Sequence, residues 1–486
     1  MNGSKLFSRF WRDGPSTNSN SGDVEYEMLL PADNQPPRHI NRARSREIRP
    51  LWICLTLCFF FASGFFVHGW WSGGVNQSNH RSKDPPLYGQ YRQRERMLSQ
   101  HNSSHLDPET KFLWFANHGE DFGWGNYLQE LLFNAYLAYA SRRSFVFDDY
   151  TWRRTGPDVV EWYGHRIPAR IPLSAIITGP LVGGESPNLN VPPAVSREYY
   201  LSVCPEDQRV ILNTQSINAA LGETPSASQI VQRWVTELDK INATCVELDE
   251  QSPALFSYNV TNTARILDIL PRLSKSPILS DFGWSPLILS EFYTNLPHFD
   301  SYTEMDTIST TETSTKPLKG LLVIHIRRGD YGWWCKEAWK NRQAFTGVNS
   351  LPELLDKYPH PPNGRGPKEV FRKHCYPTIE EIVSKVLQVA KAKKDVKWVY
   401  IMSNAKRAWL RKLVAALEVA YEWHMVSTSR DLELSWEGKY VSQALDMYVG
   451  QRAELFIGNG FSSLTSNTVL LRRQNPELDP SDIHFW

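Results

Sequence analysis

The sequence predicts an α/β protein whose two lobes face a cleft, preceded by a single membrane-spanning helix. Three observations carry this expectation. From residue 108 onward, short apolar runs alternate with amphipathic stretches at helical spacing. A Thr/Ser-rich run without periodicity, Thr303 to Gly320, divides that region near residue 310. The stretch Leu51 to Trp71 contains no Asp, Glu, Lys or Arg and is long enough to span a bilayer.

Residues 1–50 are rich in Ser, Asn, Pro and Arg without hydrophobic period, which predicts a disordered tail. The apolar stretch 51–71 starts too far from the N-terminus for an ordinary cleaved signal, so it is read as an uncleaved signal anchor rather than a buried core helix. Trp70 and Trp71 mark one interface, and Arg42, Arg44, Arg46 and Arg49 the other. That asymmetry predicts a single-pass type II protein, its tail cytoplasmic and its body luminal. Residues 72–107 are polar and read as a flexible luminal stem.

Two features agree with a luminal body. Glycosylation triplets follow the anchor at Asn76, Asn102, Asn242 and Asn259. Of the 6 cysteines, Cys54 and Cys58 lie within the anchor, and Cys204, Cys245, Cys335 and Cys375 lie beyond it. Those four permit three pairings; Cys204 with Cys245 and Cys335 with Cys375 are favoured because each closes a local loop in an oxidising compartment, the alternative being buried free thiols. The charge is nearly balanced, 53 basic against 52 acidic residues, so bulk electrostatics recruits neither nucleic acid nor membrane, and any anion must be bound locally.

The first lobe, 108–310, opens with the strand "KFLWFAN", the loop "HGEDFGWGN", the helix "YLQELLFNAYLAYASRR" and the strand "SFVFDDY". The acidic pair Asp148-Asp149 that ends this strand is read as a helix or turn cap. The second lobe, 311–486, starts with the apolar strand "LLVIHI" and continues through "PTIEEIVSKVLQVAKAKK" as a helix, "VKWVYIMSN" as a strand and "AKRAWLRKLVAALEVA" as a helix. "YVSQALDMYVGQRAELFIGNGFSSLTSNTVLLRR" then reads as helix, strand, Gly/Ser loop and helix.

Strand ends of such lobes face a ligand crevice. At one of them "LLVIHI" delivers Arg327, Arg328 and Asp330, whose guanidiniums suit bidentate capture of phosphate, against the alternative of a solvated or salt-bridged edge. At another, "LFIGNGFSSLTSN" places hydroxyls and backbone N–H groups before a helix N-terminus, an anion seat unless it is a turn with an N-cap. Together they describe a diphosphate held between a strand tip and a helix start.

The motif "HIRRGD" (His325 to Asp330), the downstream "FIGNGFSSLTSN" and the "GN" of the first-lobe loop, Gly125-Asn126, resemble the GDP-fucose-dependent fucosyltransferases, especially the protein O-fucosyltransferases, in motif order over residues 110–486. The resemblance implies a GT-B fold, two Rossmann-like lobes with the nucleotide sugar between them. It implies that Arg327 neutralises the β-phosphate as GDP departs, with His325, Arg328 and Asp330 completing the motif. Asp446, sixteen positions before Ser462, has the spacing of a nucleotide-binding aspartate, and Ser462, Ser463 and Thr465 would seat the phosphates. Where relatives carry acidic residues this chain has Ser403 and Asn404, so Asn404 is a candidate base or ribose contact. Glu120 and Asp121 are the candidate general bases, Glu120 preferred, with His118 nearby and Asn126 positioning substrate, the alternative being surface carboxylates beside a turn.

The function so implied is inverting transfer of fucose from GDP-fucose to a hydroxyl of a protein or glycan, by an enzyme of the Golgi or endoplasmic reticulum membrane. No cofactor is expected: no Asp-x-Asp follows the anchor, so arginine replaces a metal. Two alternatives stand beside it, a non-catalytic luminal sugar- or nucleotide-binding protein on the same scaffold, and a transferase using another nucleotide sugar.

Overall fold

Every strand of the two main sheets runs parallel to its neighbours, and sheets of that kind are covered on both faces. This is why the central strands read as unbroken apolar runs. The computed structural model describes residues 84–102, 109–162, 164–187, 191–299, 316–359, 366–393 and 395–486. The expected tail 1–50, the anchor 51–71, the triplet at Asn76 and most of the Thr/Ser-rich run lie outside these residues. Among the described residues no helix is long and apolar enough to cross a membrane. From Pro85 onward they belong to one compact unit.

A short helix, α1 (Gly89–Arg96), precedes the first sheet. That sheet comprises β1 (Phe112–Phe115), β2 (Ser144–Phe147), β3 (Val195–Ser196), β4 (Val210–Leu212) and β5 (Cys245–Leu248), in the order β3-β2-β1-β5-β4. Helix α2 (Trp124–Ala140) joins β1 to β2, and α3 (Ala227–Leu238), started by a Ser226–Gln229 capping box, leads towards β5. Helix α4 (Pro286–Thr294) closes this half of the chain.

The second sheet comprises β6 (Leu318–Ile326), β7 (Trp398–Ser403), β8 (Met425–Thr428), β9 (Ala453–Gly458) and β10 (Ile483–Phe485), in the order β8-β7-β6-β9-β10. Its helices are α5 (Tyr331–Lys340), α6 (Lys368–Cys375), α7 (Ile379–Ala390), α8 (Arg407–Ala420), α9 (Ser442–Arg452) and α10 (Ser463–Arg472). Ile382, Val386 and Val389 of α7, three or four residues apart, make one stripe that packs with Leu322, Ile324 and Ile326 on one face of β6. Leu321 and Val323 enter the layer on the other face, which includes Leu445 of α9 and Val469 of α10. In each sheet the central strand, β1 or β6, begins the chain's path, and the order reverses beside it. The crevices at the carboxyl ends of β1 and β6 are therefore the topological switch points.

Cys204 is bonded to Cys245, and Cys335 to Cys375, at sequence separations of 41 and 40. Loops of that length make each cross-link worth about 4 kcal/mol in the chain-entropy account.

The expected stem, 72–107, is corrected where it is described. Residues 85–102 pack on the body, because few inward side chains suffice to dock an otherwise polar helix. Tyr88 and Tyr91 are buried in the main core, Arg92 grips Asp149 at 2.9 Å, and the Glu95 carboxylate accepts the Ser174 N–H at 3.0 Å. Of the helix or turn cap expected of this pair, Asp148 accepts the Asp149 N–H at 2.8 Å and also pairs with Arg197 at 3.7 Å, while Asp149 anchors α1.

The two halves interlock instead of meeting across a simple linker. Helix α4 lies on α9, the Trp284 indole donates to Gln451 at 2.8 Å, the Asn295 amide donates to the Glu433 carbonyl at 2.8 Å, and the Tyr88 hydroxyl reaches the Glu437 carbonyl at 2.8 Å. A close approach also joins α2 to α10. Asn467 donates to the Gly125 carbonyl at 2.7 Å, and a Cβ on Gly125 would stand 2.7 Å from the Leu464 backbone nitrogen. Only glycine permits this approach. We expect Gly125→Ala to destabilise the body by ~1–3 kcal/mol, overpacking outweighing alanine's better helix propensity. Urea unfolding measures this, and a variant as stable as the parent would show that the junction yields.

Candidate active site

The tip of β6 is where ordinary sheet pairing runs out. Pairing of β6 with β9 ends at Ile324–Ile457, and with β7 at Ile326–Ser403. Side chains then take over the backbone groups. The Ser403 hydroxyl donates to the Ile326 carbonyl at 2.7 Å, and Asn404 both accepts the Arg328 N–H at 2.7 Å and donates to the Arg328 carbonyl at 3.1 Å. Asn404, expected to contact base or ribose, is thereby a backbone clamp.

Alternation separates the two arginines. His325 lies on the face of β6 that meets α10, its Nδ1 2.7 Å from the Thr465 hydroxyl. Burial, and then the charge of Arg327, lower its pKa to about 3, so the imidazole is neutral. Arg327, with 35% of its side chain exposed, spans the Tyr331 ring at 5.2 Å and pairs with Asp330 at 3.6 Å. Arg328 goes to the opposite face. Its guanidinium is sandwiched between Tyr376 at 4.1 Å and Trp409 at 4.3 Å, donates to the Pro377 carbonyl, and is only 5% exposed. The expected ligand-binding role of Arg328 is accordingly replaced by a structural one; of the two guanidiniums, Arg327 is the one exposed for an anion.

The Gly/Ser loop is bound to this tip. The Tyr331 hydroxyl donates to the Phe461 carbonyl at 2.7 Å, Asn459 donates its N–H to Thr465 at 3.1 Å and its amide to the Cys375 carbonyl at 2.8 Å, and Asn349 donates to the Gly460 carbonyl at 3.0 Å. Gly460 is required because a Cβ would strike the Phe345 ring at 2.4 Å. Ser462 then sits at the N-cap position of α10 without a side-chain cap bond, and Ser463 begins the helix. The positive end of α10 thus receives no cap from the Ser462 side chain. It abuts Gly125 near the start of α2, so two helix N-termini bring positive potential to one place.

Not every expected residue joins this group. Asp446 is buried on α9, where the hydroxyls of Tyr400 and Ser429 donate to its two oxygens. Asn126 accepts from Asn262 at 3.4 Å. Glu120 is exposed in the loop after β1, where its carboxylate accepts the Arg154 N–H at 2.8 Å. Asp121 holds φ at 67°. His118 is buried, its Nδ1 3.1 Å from the Phe115 carbonyl, and burial lowers its pKa. It is thus the imidazole of a packed loop and no exposed base. Asn102, Asn242 and Asn259 are exposed.

Sequence reasoning missed the residues that hold these elements, Tyr331, Asn349, Asn459, and Glu130 of α2. Both Glu130 oxygens accept the Gly119 N–H, at 3.1 and 3.2 Å, and burial pushes the carboxyl up to about 7. The available signal was an acid at helical spacing from Tyr127 and Asn134, on the inward stripe of α2.

Fold and site together define an α/β protein of two parallel sheets whose second switch point carries an exposed arginine. Residues 290–475, which include that switch point, match the family model described as GDP-fucose protein O-fucosyltransferase. Among solved structures, POFUT1 in complex with GDP-fucose is 12% identical, covering 78% of this chain and 99% of that chain at a TM-score of 0.49. NodZ α-1,6-fucosyltransferase soaked with GDP-fucose is 13% identical, covering 74% and 92% at 0.35, and NodZ from Bradyrhizobium is 13% identical, covering 76% and 94% at 0.35. No curated protein matches the chain in sequence.

Burial pushes the Asp446 carboxyl up to about 7. The folded protein holds this proton more tightly than the unfolded chain, whose aspartates titrate near ~3.9, so the contribution to stability is complete below that value and is lost as pH rises through about 7. An amide keeps the acceptor for Tyr400 and cannot ionise. The melting temperature of Asp446→Asn relative to the parent should therefore rise between about pH 4 and 7 and level off above. A difference that stays flat across this range would exclude the buried proton.

Proposed function

We propose that the protein transfers fucose from GDP-fucose, with inversion, to a hydroxyl of a protein or glycan acceptor. The observation that carries the reading is the exposed guanidinium of Arg327 on a strand tip that His325 ties to Thr465 of α10, within the segment that matches the fucosyltransferase family model. The acceptor oxygen forms a bond to fucose C1 while the bond from C1 to the β-phosphate oxygen breaks, its electron pair leaving with GDP. Arg327 and the first-turn N–H groups of α10 compensate the negative charge that develops there. The acceptor proton passes to a base from the first half; Glu120, the exposed carboxylate after β1, is the candidate, although among the described residues no contact joins it to the β6 tip. His325, neutral and bonded to Thr465, supports the tip and takes no proton. Charge compensation by arginine leaves no step that calls for a metal.

Lysine at 327 keeps one charge and loses the fork. Arg327→Lys should lower kcat by ~10²-fold or more while GDP affinity falls less, and the parent's transfer should persist in saturating EDTA. A folded Arg327→Lys protein with near-parental turnover would sink the assignment, and activity lost to chelator and restored by Mn²⁺ would sink the metal-free account.

The reading extends to a luminal body held by the apolar segment 51–71, in Golgi or endoplasmic reticulum. Its support is the Arg cluster before that segment and the exposed asparagines Asn102, Asn242 and Asn259 after it. An N-glycan-removing enzyme should increase the mobility of the full chain made in a secretory cell. Unmodified protein, open to protease in intact microsomes, would reverse the topology.

A further inference from the structure

The carbonyl of His325 belongs to the set of backbone groups left over where β6 outruns β9. The last paired residue of β9 on this side is Ile457, and two residues on the Asn459 N–H turns to Thr465. The His325 carbonyl is nevertheless paired. The indole Nε1–H of Trp486 donates to it at 2.8 Å, in a fully buried bond. Trp486 follows β10, which lies beyond β9 from β6, so the donor comes from two strands away. Its own N–H is tied to the Gly458 carbonyl at 3.2 Å, and its ring lies in the apolar layer with Ile324, Ile326, Leu455 and Ile457.

Residue 325 is thus held twice, by its imidazole to Thr465 on α10 and by its carbonyl to Trp486, two residues before Arg327. An indole can only donate, and this one has no water to turn to, so the bond has one geometry. We propose that Trp486 is a positioning residue for Arg327, its indole N–H fixing the strand tip from which the guanidinium meets the departing diphosphate. The inference rests on the donor reading above and adds the residue that sets the arginine's aim. A guanidinium stabilises developing charge only as well as it is preorganised, so a loosened tip costs more in the transition state than in ground-state binding.

Trp486→Phe keeps a large ring in the apolar layer and removes the N–H. In that variant kcat for fucose transfer should fall by about tenfold or more, while GDP affinity by calorimetry stays within about threefold. Amide hydrogen exchange across residues 326–331 should accelerate relative to residues 398–403 of the neighbouring strand. If Trp486 were only a core residue, the loss would appear as a lower melting temperature with kcat and the exchange ratio unchanged, and that result overturns the proposal. A parent protein that turns over no GDP-fucose would defeat the donor reading instead. The exchange comparison, which needs no substrate, would still decide whether the indole fixes the tip.

Discussion

The structure turns on the backbone groups that sheet pairing leaves over at the end of β6. A buried carbonyl or N–H without a partner costs on the order of 1–3 kcal/mol, so a switch point where strands splay apart must recruit donors from elsewhere. Here they come from across the second half of the chain: Ser403 and Asn404 from the end of β7, Trp486 beyond β10, and Arg328 itself, whose Nη1 donates to the Arg327 carbonyl at 3.2 Å. Each residue also defines the shape of the crevice. The tip is rigid because its backbone is held by side chains.

Rigidity at the tip would be of little use if the facing half could drift. The meeting of α2 and α10 prevents this, because glycine at 125 brings two helix starts into van der Waals contact and the Asn467 amide bolts them together. Ser466, a turn along the same helix, accepts the Val348 N–H at 3.0 Å and the Gln129 amide at 3.2 Å. Two helix N-termini would ordinarily repel; an anion between or beside them removes that penalty.

Around this centre burial keeps several titratable groups uncharged or poised. His325 is neutral with a pKa of about 3, while Asp446 and Glu130 are pushed up to about 7. Groups of this kind fix geometry through hydrogen bonds at small electrostatic cost. The charge that can act on a ligand is left to the half-exposed Arg327, since Arg328, equally cationic in sequence, is desolvated between two aromatic rings. The exposed Glu120 holds the opposite sign on the first half's loop.

The sequence by itself determined the two α/β halves and the two local motifs of the crevice, a strand ending in arginines and a Gly/Ser loop before a helix. These follow from apolar runs, helical periodicity and turn chemistry, which act over a few residues and are written in adjacent positions. It did not determine which arginine is exposed, although the alternation of β6 held that information. The roles of Asp446 and Asn404 as internal hydrogen-bonding partners, the docking of residues 85–102, and the bond from Trp486 to His325 were decided by tertiary structure alone. Each depends on partners brought together by chain reversal, 161 residues apart in the case of Trp486, and a polar side chain reads the same in sequence whether it waits for a ligand or is already bonded within the fold.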